Sequence, residues 1–300
     1  MDSRRDAMEV CMLCPRRCGV SRADARGFCG QSDTLRVARA APHFGEEPPV
    51  SGIRGSGAIF FSGCTLRCCF CQNGDISEGG FGRDITEERL GDIFLELAEQ
   101  GVHNINLVSG TQFVPQIVRA LARVRHALHI PALWNSSGYE TPETLHALDG
   151  LVDIYLPDLK YHSADLARRY SAAGDYFDVA SRAIPEMVRQ TGAPVFDEEG
   201  ILSRGTLVRH LVLPGARHDS IALVHWLASR FAPDELLVSI MAQYTPEFVR
   251  GEFPELCRRV TTFEYQSVLR EAQRAGLRGF SQDTRAATAA YTPIFDLTGV

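Results

Sequence analysis

The chain is 300 residues long, 45% hydrophobic and 23% charged, with 31 basic against 37 acidic side chains and a net charge of −6. That length and apolar fraction exclude a disordered chain and allow one large domain, or a domain with an appendage, around a sizeable core. No uninterrupted apolar run reaches about 18 residues, the opening Met-Asp-Ser-Arg-Arg-Asp lacks the apolar stretch of an export signal, and the scattered acidic charge leaves no nucleic-acid footprint. A cytoplasmic protein with neither a membrane nor a nucleic-acid partner is expected.

Two counts stand out. The basic set is 30 arginines and one lysine, Lys160, and eight of the nine cysteines precede residue 72. Without an export signal, clustered cysteines point to metal or redox chemistry rather than disulfides.

In chain order, residues 1–50 show little periodicity and read as a cysteine-rich metal-binding segment, Cys11-x2-Cys14-x3-Cys18-x10-Cys29. Four thiolates in nineteen residues suit tetrahedral zinc or a second iron–sulfur cluster, and spacing does not choose between them. Pro48-Pro49 and the glycines at 52, 55 and 57 mark a boundary. Beyond it, strands are predicted at 58–61, 104–108, 132–135, 152–156, 207–213 and 236–241. Helices are predicted at 86–100, 114–128, 142–148 and 220–231, with a longer helical region running to 190. The first helix has Thr86 as its cap and Leu90, Ile93, Phe94 and Leu97 on one face. This alternation predicts an α/β fold with a parallel sheet, either a partial barrel or a doubly wound sheet, binding ligands at the carboxyl ends of its strands. Residues 51–250 form that unit, and 251–300 an added extension with a helix at 263–275.

Directly after the first predicted strand comes Gly63-Cys64-Thr65-Leu66-Arg67-Cys68-Cys69-Phe70-Cys71-Gln72-Asn73. Cys64, Cys68 and Cys71 give a Cys-x3-Cys-x2-Cys loop, which suits three irons of a [4Fe–4S] cubane and leaves the fourth iron open. A structural zinc would need a fourth ligand at once, and Cys69 cannot easily reach the same ion as its neighbour. Cys69 therefore reads as packing. Asp158 and Lys160 end the fourth strand two residues apart, so both can face one site.

The loop resembles that of the radical S-adenosylmethionine superfamily, a cysteine motif with an aromatic residue (here Phe70) before its last cysteine, after the first strand of a (β/α)6 partial TIM barrel. The resemblance covers residues 51–250 and is closest to activating enzymes of glycyl radical enzymes, in the branch of homologues of the pyruvate formate-lyase activating enzyme. Pro42 to Pro49, Phe70 to Asn73, Asn135 to Glu140 and Val152 to Tyr161 carry it. It implies a [4Fe–4S] cluster whose open iron is chelated by S-adenosylmethionine. Reductive cleavage then yields a 5′-deoxyadenosyl radical that abstracts hydrogen. It also implies a reduced flavodoxin or ferredoxin as electron donor and a glycyl radical enzyme or other protein as substrate.

By the same resemblance, Asp158, Lys160 and Arg209 contact S-adenosylmethionine, with Asn135 and Ser137 at its ribose or methionine portion, although Ser137 could equally cap the next helix. Where the family has a Gly-Gly-Glu turn, this chain reads Ser109-Gly110-Thr111-Gln112, which puts Gly110 and Thr111 at the cofactor without a carboxylate. Where the activating enzymes have Pro-Tyr-His, it offers Gln243. Outside glycyl radical activation stand two alternatives: a radical enzyme modifying another peptide or small molecule, and a non-catalytic iron–sulfur electron-transfer or regulatory protein.

Overall fold

The computed structural model describes residues 10–282 and 292–300. The opening stretch read above for an export signal, and part of the C-terminal extension, lie outside the described residues. The strands are β1 (Arg36–His43), β2 (Ser56–Phe61), β3 (Arg83–Asp84), β4 (Ile105–Val108), β5 (Ala132–Ser136), β6 (Ile154–Pro157), β7 (Val195–Phe196), β8 (Leu202–Leu211), β9 (Leu237–Met241) and β10 (Gly279–Ser281). The helices are α1 (Pro48–Ser51), α2 (Gly74–Ser77), α3 (Glu87–Glu99), α4 (Val114–Val124), α5 (Pro142–His146), α6 (Ala164–Ser171), α7 (Tyr176–Thr191), α8 (Arg217–Arg230) and α9 (Thr262–Arg274).

All of β2, β4, β5 and β6 is buried, as expected for parallel strands covered on both faces. With β8 and β9 they run parallel in chain order, β2-β4-β5-β6-β8-β9, and form the six-stranded partial barrel of the α/β fold expected from the sequence. The covering helices follow the predicted periodicity. In α3 the Thr86 hydroxyl accepts from the Arg89 N–H at 3.1 Å, and Leu90, Ile93, Phe94 and Leu97 are buried against α4 and the sheet.

Two additions extend the sheet. Residues 36–43, for which the sequence predicts no element, form β1, antiparallel to β2. Its alternation is blurred by a register shift between Val37 and Arg39 and by small alanines on both faces. From its end the chain passes through Gly45, Glu46 and Glu47 into α1. At the other side, β10 pairs in parallel with β9. The tail returns to β1, where the Ala40 N–H donates to the Thr298 carbonyl at 2.8 Å and Arg39 pairs with Asp296 at 2.7 Å.

Candidate active site

Two residues past the end of β2, Gly63 takes a left-handed conformation that turns the chain across the carboxyl end of the barrel. The loop that follows is held from outside: the Cys69 N–H donates to the Tyr170 carbonyl at 2.8 Å, and the Arg250 N–H to the Cys69 carbonyl at 2.7 Å. Each of the three predicted ligand sulfurs accepts a hydrogen bond, Cys64 from the Leu66 N–H (3.4 Å), Cys68 from the Ser171 hydroxyl (3.0 Å) and Cys71 from the Ser77 hydroxyl (3.5 Å). Burial, reinforced by Cys68 and Cys71, pushes the Cys64 thiol well above its ordinary range. Burial also raises Cys68, against the pull of Lys160. Such thiols give up their protons when a metal takes the charge.

Among the described residues, no three histidine, cysteine, aspartate or glutamate side chains are arranged to hold a single metal ion. A cubane asks for something else. Each thiolate binds a different iron, so sulfurs spread along a loop can serve it. Three cysteines at this spacing, each with a donor at its sulfur, fit the three protein-bound irons of a [4Fe–4S] cluster.

The loop forms one wall of a cavity at the carboxyl ends of the strands. Cys64, Cys68, Phe70 and Cys71 line it from the loop, and Asn135, Ser137, Asp158, Lys160, Arg209 and Gln243 from the ends of β5, β6, β8 and β9. Ten of the predicted residues therefore converge on one space. Lys160 Nζ lies 2.6 Å from Asp158 Oδ2, and Arg209 Nε lies 3.1 Å from Asp158 Oδ1. Burial opposes ionisation of Asp158, but Lys160 and Arg209 outweigh it and hold the carboxylate below its ordinary range. Burial likewise favours a neutral amine at Lys160, yet Asp158, with Cys68 and Cys71, keeps its proton on. The lysine thus stands charged between a carboxylate and the cysteine loop. His210, on the opposite face, is buried with Nδ1 at 2.7 Å from the Leu159 carbonyl.

Gly110 and Thr111 are not among the lining residues. Ser109 lines the cavity instead, in a left-handed turn at φ 58° that swings the next residues into the protein. Gly110 packs on Ile117 and Trp134, and the buried Thr111 hydroxyl donates to Glu140 Oε1 at 2.8 Å. The carboxylate that this turn meets is Glu140, from the loop after β5, and it faces the protein interior rather than the cavity. Glu140 is fully buried, accepts also from the Ser136 hydroxyl at 3.0 Å, and has its pKa pushed up to about 7 by burial. The cap of α5 is Thr141, not Ser137.

Two further residues escaped the sequence reading. Glu46 lines the cavity, accepts from the amides of Asn106 and Asn135 at 3.0 Å each, and pairs with Arg209 at 2.9 Å. The signal was the Gly45-Glu46-Glu47 stretch, whose long-range partners no periodicity reveals. Tyr176, at the start of α7, accepts from the Lys160 N–H at 2.9 Å and lies 2.8 and 2.7 Å from the carbonyls of Ser137 and Asp158. It locks the ends of β5 and β6 together. Gly138 is required there, because a Cβ would collide with the Asp158 carbonyl.

The fold and site define an α/β partial barrel with a three-cysteine loop over a charged cavity at its strand ends. Residues 58–220 match the sequence family described as the Radical SAM superfamily. An uncharacterized protein of Methanocaldococcus jannaschii is 32% identical over 281 residues, covering 91% of this chain and 77% of the relative. The chain belongs to the radical SAM superfamily, whose cofactors are a [4Fe–4S] cluster and S-adenosylmethionine. Among solved structures, it is similar to Streptococcus suis SuiB bound to precursor peptide SuiA, at 14% identity and a TM-score of 0.48 over 76% of this chain; it spans about half (48%) of that protein. It is also similar to a domain of the pyruvate-formate lyase-activating enzyme from Bacteroides vulgatus, at 11% identity and a TM-score of 0.41, covering 57% of this chain and 91% of that one.

Proposed function

We propose that Cys64, Cys68 and Cys71 hold the [4Fe–4S] cluster, that the Asp158–Lys160–Arg209 group binds S-adenosylmethionine, and that the radical so generated takes a hydrogen atom from a glycyl radical enzyme. The bound cofactors supply a 5′-deoxyadenosyl radical once one electron arrives, with reduced flavodoxin or ferredoxin as the donor. The observation that carries the reading is the charged Lys160, held by Asp158 beside the cysteine loop and facing the same cavity. Its ammonium offers a compact partner for the methionine carboxylate, in a space a guanidinium would not fill equally. Asp158 fixes the lysine and presents acceptor oxygens to the methionine ammonium. Asn135 and Ser137 offer hydrogen bonds to ribose hydroxyls, and Gln243 faces them from the end of β9. Phe70, edge-on to Tyr244 with centroids 6.0 Å apart, keeps an apolar wall against water beside the loop.

The glycyl radical target is supported by the activating-enzyme-like stretches at 42–49, 70–73, 135–140 and 152–161. Incubating the reduced, cluster-loaded protein with S-adenosylmethionine and a candidate partner captured anaerobically tests it. A glycine-centred doublet in the electron paramagnetic resonance spectrum is expected. Cleavage of S-adenosylmethionine with hydrogen drawn from a small molecule or another peptide instead would replace the target while leaving the site assignment standing.

A further inference from the structure

The N-terminal cysteines are not used by the chemistry above, and their surroundings are unusual. From residue 10 to residue 34 there is no helix and only an isolated bridge between Val10 and Ser21, and the only buried residues are Cys14, Arg22 and Gln31. A segment of this kind buries too little apolar surface to hold its own shape. It is nevertheless folded into a knot. The Cys11 N–H donates to the Val20 carbonyl at 2.9 Å, the Gly19 N–H to the Cys11 carbonyl at 3.1 Å, and the Arg17 N–H to the Cys14 carbonyl at 3.0 Å. A Cβ on Gly27 would sit 3.4 Å from Cys18 Sγ and 3.6 Å from Cys29 Sγ, so these sulfurs flank one small space. The Phe28 N–H donates to Cys18 Sγ at 3.2 Å, and none of the four thiols is in a disulfide.

The knot rests on the cluster loop. Arg16, between Cys14 and Cys18, donates through Nε to the Thr65 carbonyl at 2.8 Å and through its other nitrogens to the carbonyls of Ser171 and Ala172. Its guanidinium lies 3.9 Å from the ring centroid of Phe28, and that of Arg67 lies 4.6 Å from the same ring. Arg67 also donates to the Phe28 carbonyl at 3.1 Å, and the Cys29 carbonyl abuts Gly63 so closely that a Cβ there would collide with it. Thr65 and Arg67 lie between Cys64 and Cys68, and Ser171 donates to the Cys68 sulfur. Every clamping residue of the knot is a cysteine of the set or lies within two residues of one.

We propose that Cys11, Cys14, Cys18 and Cys29 hold a thiolate-bound metal centre, and that this centre clamps the radical loop through Arg16, Phe28 and Cys29. The four sulfurs are not gathered round a single ion, so they suit an iron–sulfur cluster, in which each thiolate holds a different iron. Binding supplies the stability that the missing apolar core does not. Emptying the centre frees Arg16 and Phe28, and the loop around Cys64 and Cys68 loses one of its walls.

The test compares four anaerobically purified, full-length proteins: wild type, a loop variant with Cys64, Cys68 and Cys71 all replaced by alanine, a Cys14→Ser/Cys18→Ser variant, and Arg16→Ala. Zinc, iron and sulfide are counted per chain, and the loss of cluster absorbance under chelator is followed in time. The loop variant is expected to keep about four irons with matching sulfide; one zinc in their place overturns the cluster. Cys14→Ser/Cys18→Ser should lose that metal, keep the first cluster's irons, and shed them to chelator several-fold faster. Arg16→Ala, with every ligand intact, should retain both metals on purification and show the same faster loss. A loop variant without bound metal overturns the site. A first cluster that decays at the wild-type rate in Arg16→Ala overturns the clamp. Neither readout depends on S-adenosylmethionine chemistry.

Discussion

Cys64, Cys68 and Cys71 stand at the end of a strand whose every residue is buried, whereas Cys11, Cys14, Cys18 and Cys29 stand in a stretch with three buried residues. The loop is positioned by the barrel: Gly63 turns it, Tyr170, Ser171 and Arg250 hold it, and Lys160 faces it from β6. The knot has no strand of its own beneath it and is tied to the barrel by side chains: besides the contacts of Arg16 and Arg67, the Thr144 hydroxyl donates to the Leu13 carbonyl at 2.6 Å, Arg22 to the Gln112 carbonyl and Gln116 to the Asp33 carbonyl. Similar ligand chemistry thus sits on two kinds of support. In one the fold fixes the sulfurs before metal arrives; in the other, on the proposal above, metal adds the stability that an apolar core does not supply.

The largest expected effect follows from that contrast. Cys71→Ala should remove S-adenosylmethionine cleavage entirely and most of the first cluster's iron, yet leave the thermal midpoint of the metal-free barrel unchanged. Chelating all metal from the wild type should do the reverse locally, with residues 10–34 becoming sensitive to limited proteolysis while the barrel stays resistant. Proteolysis that opens both regions together would erase the distinction.

Next in size is Lys160→Ala, which removes a charge-assisted contact worth about 1.5–3 kcal/mol and should weaken S-adenosylmethionine binding about ten- to a hundredfold at unchanged iron content. Lys160→Arg should restore little of it, because the planar guanidinium presents its donors differently. Titration calorimetry on the cluster-loaded protein reads both.

A smaller effect concerns Glu140. Its pKa is raised from about 4.5 to about 7, chiefly by burial and further by Asp158, while the hydroxyls of Thr111 and Ser136 pull the other way. The folded state therefore holds the proton more tightly than the unfolded chain. Its contribution to stability is complete below about pH 4.5 and is lost as pH rises through about 7. Glu140→Gln stays neutral throughout, so its stability relative to wild type should rise between pH 5 and 8, read as the urea midpoint. A flat difference over that range would contradict the buried, proton-holding carboxylate. Smallest is Thr86→Ala, far from both cysteine sets, which should cost about 1 kcal/mol by removing the cap of α3 and leave metal content untouched.

Much of this was legible in the sequence where a pattern is local. The six parallel strands announce themselves as short apolar runs, and the cap at Thr86 sits where residue type and spacing put it. The cysteine loop is readable from its spacing, Asp158 and Lys160 because a strand end brings alternate residues to one side, and Arg209 through the family resemblance. What was not legible depends on distant partners. β1 hides behind small residues and a register shift, and Glu46 acquires its place only when Asn106, Asn135 and Arg209 close around it. The turn after β4 shows the same limit. Gly110 and Thr111 look like cofactor contacts until the left-handed Ser109 rotates them inward, where Thr111 meets Glu140 from another loop.

The central claim is that the charged cavity beside the three-cysteine loop binds and cleaves S-adenosylmethionine. Reconstituting the protein with iron and sulfide, reducing it without oxygen, adding S-adenosylmethionine and measuring 5′-deoxyadenosine by mass spectrometry tests it most directly. The account predicts 5′-deoxyadenosine and methionine in equal amounts from the wild type and none from Cys71→Ala. An intact, reduced cluster that leaves S-adenosylmethionine uncleaved would contradict it.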